Sequence, residues 1–328
     1  MIPYRQLENI DHGRLVVIDV LSFGEPLVGF YPPHGASMAE DVPIVKTWGG
    51  DTSNLAIGIA RLGRTSRFLT RVGNDPFGRG FIELWQRNGV DTSLVGIDDD
   101  RRTGLYFVSF EGRKHVLTYY RKDSAASAIQ ETDITVEMVQ DCAIVHLTGI
   151  SLGMSESAVA AGKRLVKLAR EYKKMVSFDI NYRILQWKSA QFASDTITSV
   201  IGTGVDILEI TDDEMLTLGW GDDPRSLWER FPESGIIILK QGPKGATVMT
   251  KTETFVIPAC PVVVQDTVGA GDSFDAGFIV SLLEGKSVKE AAYFATANAA
   301  HTCTGTGPLE KMPTHRETDL LLASWNRS

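Results

Sequence analysis

The chain has 328 residues, of which 43% are hydrophobic and 23% charged, with a formal net charge of −8 at pH 7. That is enough apolar material for a sizeable core in one large α/β domain or two smaller ones. The acidic balance argues against general affinity for nucleic acid or an anionic membrane, both of which need a basic face, so an anionic substrate requires a local basic pocket.

Residues 1–13 read as a polar extension, and Met1-Ile2-Pro3-Tyr4-Arg5-Gln6 lacks the charged-then-apolar layout of a signal peptide. No apolar run reaches the length of a membrane span. Cys142, Cys260 and Cys303 are far apart without metal-ligand spacing, so buried reduced thiols in a cytoplasmic protein are expected. The first strand is expected over 15–23. Residues 26–46, rich in proline and glycine, read as short strands and loops. Trp48-Gly49-Gly50-Asp51-Thr52-Ser53-Asn54 then leads into Leu55, Ala56, Ile59, Ala60 and Leu62 at helical spacing, with Thr52, Ser53 or Asn54 as cap and Gly63 as terminator.

From 65 to 95 a strand at 68–70, a turn at 73–76 and a helix carrying Phe81, Leu84 and Trp85 give a βαβ rhythm. Residues 104–110 and 115–121 flank the turn Glu111-Gly112-Arg113-Lys114 and read as a β-hairpin. Beyond Ala125, strands are expected near 143–147, 176–179, 205–210 and 235–239, and helices near 155–171, 189–201, 212–218 and 224–230. Repeated βα units mean a mainly parallel sheet covered by helices on both faces. The helix near 288–301 is rich in alanine, which permits close helix packing.

One stretch organises the rest: Asp266-Thr267-Val268-Gly269-Ala270-Gly271-Asp272-Ser273-Phe274-Asp275-Ala276-Gly277-Phe278. It follows Pro261-Val262-Val263-Val264, which reads as a short buried strand, and runs into Phe274, Phe278, Ile279, Leu282 and Leu283 on one helical face. Glycines at 269 and 271 allow a tight turn that leaves helix N–H groups unpaired, a setting that attracts phosphate. Asp272 at that terminus would be a base beside a bound anion, the equipment of phosphoryl transfer to a hydroxyl. A plain tight turn with a capping aspartate fits the same residues.

The full string resembles the C-terminal signature of the ribokinase-like (PfkB) carbohydrate kinases, and the Gly49-Gly50 to Gly63 stretch resembles their N-terminal signature. The resemblance implies an α/β domain over 14–312, a mainly parallel sheet flanked by helices, with a small β-sheet lid from 27–47 and 104–122. It implies that Asp272 takes the proton from the accepting hydroxyl. The N–H groups of Gly269, Ala270 and Gly271 would hold the phosphoryl charge, Gly50 would let backbone approach the sugar, and Asn54 would contact its hydroxyls. A lid excludes water as a competing acceptor. Its exposed edges make a homo-oligomer through the lid plausible.

Arg121 and Arg183 fall at element ends that should face the cleft, where an arginine fork suits a carboxylate. An arginine on a hairpin is also commonly just a solvated charge. The wider context, from Gly24-Glu25-Pro26-Leu27-Val28 through Tyr119-Tyr120-Arg121 to Asn181-Tyr182-Arg183, resembles the 2-keto-3-deoxygluconate kinase branch of the family. By that resemblance Gly50, Asn54, Tyr106, Tyr119, Arg121, Asn181 and Arg183 line a sugar-acid pocket. Lys240, Gly242 and Gly245 resemble the phosphate-side loop, and Asn298 would sit beside the adenine of ATP. Magnesium should accompany ATP. Thr211-Asp212-Asp213-Glu214 stands where the family has Asn-x-x-Glu, so Glu214 would hold the ion through water, and Asp266 matches a monovalent-cation position used for K+ in some relatives. The expected activity is therefore ATP-dependent phosphorylation of a keto sugar acid. A fructokinase or other neutral-sugar kinase and a non-catalytic sugar-binding regulator are the rivals.

Overall fold

In the computed structural model the described residues are 18–325 apart from 34, 112, 113 and 203. The expected polar extension, the start of the first strand and the tip of the hairpin turn lie outside them. The chain runs through β1 (Ile18–Phe23), β2 (Leu27–Tyr31) and β3 (Val45–Gly49), then a helix, Asp51–Arg61, and β4 (Ser66–Gly73). After the helix Pro76–Arg87 come β5 (Val90–Asp91), β6 (Val95–Asp98), β7 (Gly104–Glu111) and β8 (Lys114–Tyr120). The βα alternation then supplies β9 (Cys142–Thr148), β10 (Met175–Asp179), β11 (Ile207–Thr211) and β12 (Ile236–Lys240), followed by β13 (Ala246–Thr250) and β14 (Thr254–Ile257).

Two sheets result. The large one has the order β14-β13-β12-β11-β10-β9-β1-β4-β5, with β6 also on β4. It is parallel from β5 to β12 and antiparallel at β12-β13-β14, an end that the expected βα rhythm did not include. The small sheet has the order β3-β2-β7-β8, built from the two segments that interrupt the alternation. β2 joins it parallel to β7, and the 104–120 hairpin is antiparallel as its alternation demanded.

Each face of the large sheet is dry. Phe178, Val145 and Leu208 pack one way, against Leu165 and Ile197 of the helices Glu156–Glu171 and Ala190–Ile201. Val20 and Ile144 pack the other way, against Leu55, Ile279 and Phe294 of the helices Asp51–Arg61, Ala270–Leu283 and Val288–Thr302. Because the helix Ala270–Leu283 lies between sheet and outer helix, residues 273–282 are all buried, and its apolar groups are not confined to one face.

Three local expectations change. Helix Asp51–Arg61 starts at least two residues early, with Gly50 as its cap at φ 99°, so Thr52, Ser53 and Asn54 lie inside its first turn rather than capping it. The run 261–264 is not a buried strand, because the sheet has already ended at β14; Val263 is 83% exposed, and Val262 and Val264 face the cavity described below. A further helix, His315–Trp325, follows the expected end of the domain and packs on Val288–Thr302, where Thr318 donates to Asn298 Oδ1 at 2.6 Å. No helix of the described residues is long and apolar enough to cross a membrane. All three cysteines are free and buried.

Candidate active site

At the C-terminal ends of the parallel strands, beneath the small sheet, lies a cavity of about 920 Å³. This is where open α/β sheets bind ligands, because strand ends and helix starts leave polar backbone groups facing one crevice. One wall is the turn into the helix Ala270–Leu283. Gly269 there has φ 81°, and a Cβ on it would fall 2.5 Å from the Pro308 side chain, so both conformation and space require glycine. Asp266 pins the turn from below, accepting from Val268 N at 3.1 Å and Gly307 N at 2.8 Å. Ala270 N–H spends itself on Thr267 O at 3.2 Å, whereas Gly269 and Gly271 also line the cavity, at the helix start where N–H groups lack intrahelical partners.

Asp272 follows on the same turn and meets Asn54 across the cleft. Asn54 Nδ2 donates to Asp272 Oδ2 at 2.7 Å, while the buried Asn54 Oδ1 has no hydrogen-bond partner. Burial, and next the charge of Asp51, push the Asp272 carboxyl up to about 7. It is thus poised to exchange a proton near neutral pH. Asp51 is held by Thr148 Oγ1 at 2.5 Å, by Thr52 N at 2.7 Å and by Asn181 Nδ2 at 3.2 Å.

The half of the cavity under the small sheet is walled by Leu27, Tyr31, Tyr106, Leu117 and Tyr119 above and by Gly50, Asn54, Asn181 and Arg183 below. A Cβ on Gly50 would lie 2.3 Å from Glu25 O, so no side chain fits there. Tyr31 and Tyr106 share a hydroxyl contact at 2.9 Å. Arg183 is a solvent-reachable cation: its side chain is 44% exposed, 3.7 Å from Glu214 Oε1, with Nη1 donating to Tyr182 O. Arg121 has a different setting. It is buried and off the cavity wall, with Nη2 2.5 Å from Glu25 Oε2, a carboxylate with no exposure at all. The structure therefore brings Gly50, Asn54, Tyr106, Tyr119, Asn181 and Arg183 together and sets Arg121 behind them.

The other half is lined by Lys240, Gly242 and Gly245, then by apolar groups including Val262, Val264, Ala299 and Cys303. Gly245 has φ 93°, and a Cβ there would lie 2.0 Å from Ile257 O. Asn298 is not on this wall. It is fully buried, with its amide donating to Ser273 O at 2.7 Å and accepting from Thr318, so it joins three helices; the neighbouring Thr296 and Ala299 face the cavity instead. Glu214 is on the wall but doubly engaged, accepting from Tyr182 N at 2.7 Å and from Thr211 N at 2.9 Å. Thr211 caps the same short helix reciprocally. Among the described residues no group of three or more His, Cys, Asp or Glu side chains is placed to hold a metal ion. With both carboxylate oxygens used, Glu214 fits an ion held through water better than one bound directly.

Sequence reasoning passed over Asp51, Asp179 and Tyr31, which also line the cavity. Asp179 was legible as the last residue of a buried strand, where a charged side chain has little reason to be except at a strand-end site. Asp51 and Tyr31 carried no such signal.

The profile described as pfkB family carbohydrate kinase matches residues 18–315. Among curated proteins, the chain is 33% identical over 318 residues to probable fructokinase-5 of Arabidopsis thaliana, covering 93% of this chain and 97% of that protein. It is 31% identical over 312 residues to the 2-dehydro-3-deoxygluconokinase of Thermoproteus tenax, covering 93% and 94%. Among solved structures, a putative ribokinase II from E. coli in complex with ATP and Mg2+ superposes with a TM-score of 0.85 at 25% identity, covering 94% of this chain and all 100% of that one.

Proposed function

We propose, for a chain that belongs to the pfkB family of carbohydrate kinases, transfer of the terminal phosphoryl group of ATP to the terminal hydroxyl of a keto sugar acid, 2-keto-3-deoxygluconate, giving its 6-phosphate. The observation that carries the choice of acid is Arg183, an accessible guanidinium on the wall of the sugar half of the cavity. A neutral sugar has no use for that charge, whereas a carboxylate gains a strong charge-assisted contact. The Thermoproteus tenax relative supports the same choice.

In this reading the accepting hydroxyl lies between Asn54 and Asp272. Asn54 Oδ1, buried and unpartnered, takes a hydrogen bond from a neighbouring sugar hydroxyl, and Nδ2 keeps Asp272 aimed. Asp272 receives the proton of the attacking hydroxyl, and the N–H groups of Gly269 and Gly271 hold the charge on the phosphoryl oxygens, joined by Ala270 N–H where it leaves Thr267 O. Tyr106, Tyr119 and Asn181 fix the sugar; Lys240, Gly242 and Gly245 face the phosphates. The small sheet acts as a lid that keeps water, a competing acceptor, from the reacting atoms. Magnesium arriving with ATP would supply neutralisation of the phosphate charge and would be held by Glu214 through water, and Asp266 would be the candidate neighbour of a K+ ion. Two copies pairing through the edges of the small sheet would cover its unpaired strands.

One observation favours a neutral-sugar acceptor such as fructose: Arg121, the second arm of the expected carboxylate clamp, is already neutralised by Glu25. The Arabidopsis thaliana fructokinase relative points the same way. ADP release from the purified protein with MgATP, measured on 2-keto-3-deoxygluconate, fructose, ribose and buffer alone, separates the two. Turnover confined to the keto acid supports the carboxylate role of Arg183. Preference for fructose discards it and keeps the kinase, and silence on every sugar discards both.

A further inference from the structure

The floor of the cavity holds a buried charge cluster of which the transfer described above uses Lys240 alone. Lys240 Nζ lies 2.9 Å from Asp179 Oδ2, 3.1 Å from Asp275 Oδ1 and 3.5 Å from Glu209 Oε2. Glu209 is 0% exposed and Asp275 2%. Three carboxyl groups thus surround one ammonium, and full ionisation would leave two uncompensated negative charges where water barely reaches. Neither Glu209 oxygen accepts a hydrogen bond from any donor of the described residues. A proton carried by Asp275 and directed at Glu209 removes one charge and fills one orphaned acceptor in a single step. Burial and the Glu209 charge both push the Asp275 carboxyl well above the usual carboxylate range.

The cluster abuts the reacting centre. A Cβ on Gly271 would lie 3.6 Å from Lys240 Nζ, so the ammonium rests against the N–H turn one residue before Asp272. Asp179 from β10 and Lys240 from β12 act on the pair directly, and His146 from β9, Glu214, and Asp272 of the same helix act in turn on Asp179 and Lys240.

We propose that Glu209 and Asp275 share one proton and serve as positioning residues for Lys240, holding its ammonium beside the N–H turn, and that loss of this proton sets the alkaline limit of phosphoryl transfer. The functional half rests on the kinase reading above. With the proton gone, the cluster gains a negative charge that draws Lys240 down and repels the incoming phosphates.

Asp275→Asn keeps the shape of the protonated acid, and a donor toward Glu209, but has no proton to lose. Difference infrared spectroscopy of the full chain, taken from neutral into alkaline pH, reads protonated carboxyl groups without any substrate. Wild type should lose a protonated-carboxyl band across that range beyond the one that Asp272 contributes, which Asp272→Asn identifies, and Asp275→Asn should lack that further band. Glu209→Gln, which removes the charge that Asp275 answers, should lack it as well because Asp275 then ionises against Lys240. The pH profile of ADP formation should fall on the alkaline side in wild type and stay level in Asp275→Asn, with neutral-pH turnover within about threefold. That further band persisting in either variant overturns the shared proton. An alkaline fall that survives in Asp275→Asn overturns the positioning role, and silence on every sugar overturns that role with the reading it rests on while the infrared result still decides the proton.

Discussion

Asp272→Asn separates the chemistry of the site from its stability. Burial and the Asp51 charge raise the Asp272 carboxyl from 3.8 to about 7, so the native state holds this group protonated at pH values where the unfolded chain has ionised it. The sign follows directly. Below the unfolded value both states are protonated and the group costs nothing; between the two values stability falls as pH rises; above about 7 the full cost is present. A shift of about three units corresponds to ~4 kcal/mol at most, and the partial solvent contact of a cavity-wall carboxylate brings that to about 2 kcal/mol. Asparagine has no charge to bury and can still accept from Asn54. At ~2.1 cal/mol/K per residue, 328 residues give an unfolding entropy of about 0.7 kcal/mol/K, so the gain amounts to about 3 °C in Tm. Thermal melts of the two proteins should therefore differ by about 3 °C near pH 8 and by clearly less near pH 5. In the same preparation, ADP release should fall by a factor of about 10² to 10⁴. Wild-type turnover should rise with pH through about 7 as the base ionises. A variant that is less stable than wild type near pH 8 refutes the burial argument, and turnover within about tenfold of wild type refutes the assignment of Asp272 as base.

Other substitutions test the walls of the cavity. Arg183→Ala should raise KM for the keto acid by about 10- to 100-fold, the worth of one charge-assisted contact, and leave KM for a neutral sugar within about twofold; equal effects on both would remove the carboxylate role. Arg121→Ala leaves Glu25 fully buried without its cation, so denaturant unfolding should report a loss of about 3–5 kcal/mol near neutral pH. That loss should ease at low pH, where Glu25, already raised by burial, takes up a proton. Asn298→Ala strips partners from Ser273 and Thr318 and should cost about 1–3 kcal/mol of stability. Its KM for ATP should stay unchanged, and a large rise in that constant would show that Asn298 reaches the nucleotide.

Much of the plan was legible in the chain itself. Apolar runs at β-period and helical spacing, separated by glycine and proline turns, were enough for the βα alternation, because local spacing decides which face of an element is apolar. The hairpin 104–120 announced itself through alternation around a polar turn, and the strand-to-helix turn at 269–272 through glycines whose need for space the Pro308 contact makes plain. Where sequence reasoning failed, the cause was long-range. Val262, Val263 and Val264 look like a strand, but whether an apolar run pairs depends on a free sheet edge, and β14 had already closed that end. Asn298 looks like a cavity residue on an alanine-rich helix, and only the docking of His315–Trp325 shows which way its amide is spent. Arg121 is a cation in any reading of the chain. That it faces Glu25, 96 positions earlier, rather than the cavity is decided by how β1, the small sheet and their connections pack. The same holds for Lys240, Glu209 and Asp275: residue types and spacing fix the elements that carry them, but the charge each one keeps is set by which partners the fold buries beside it.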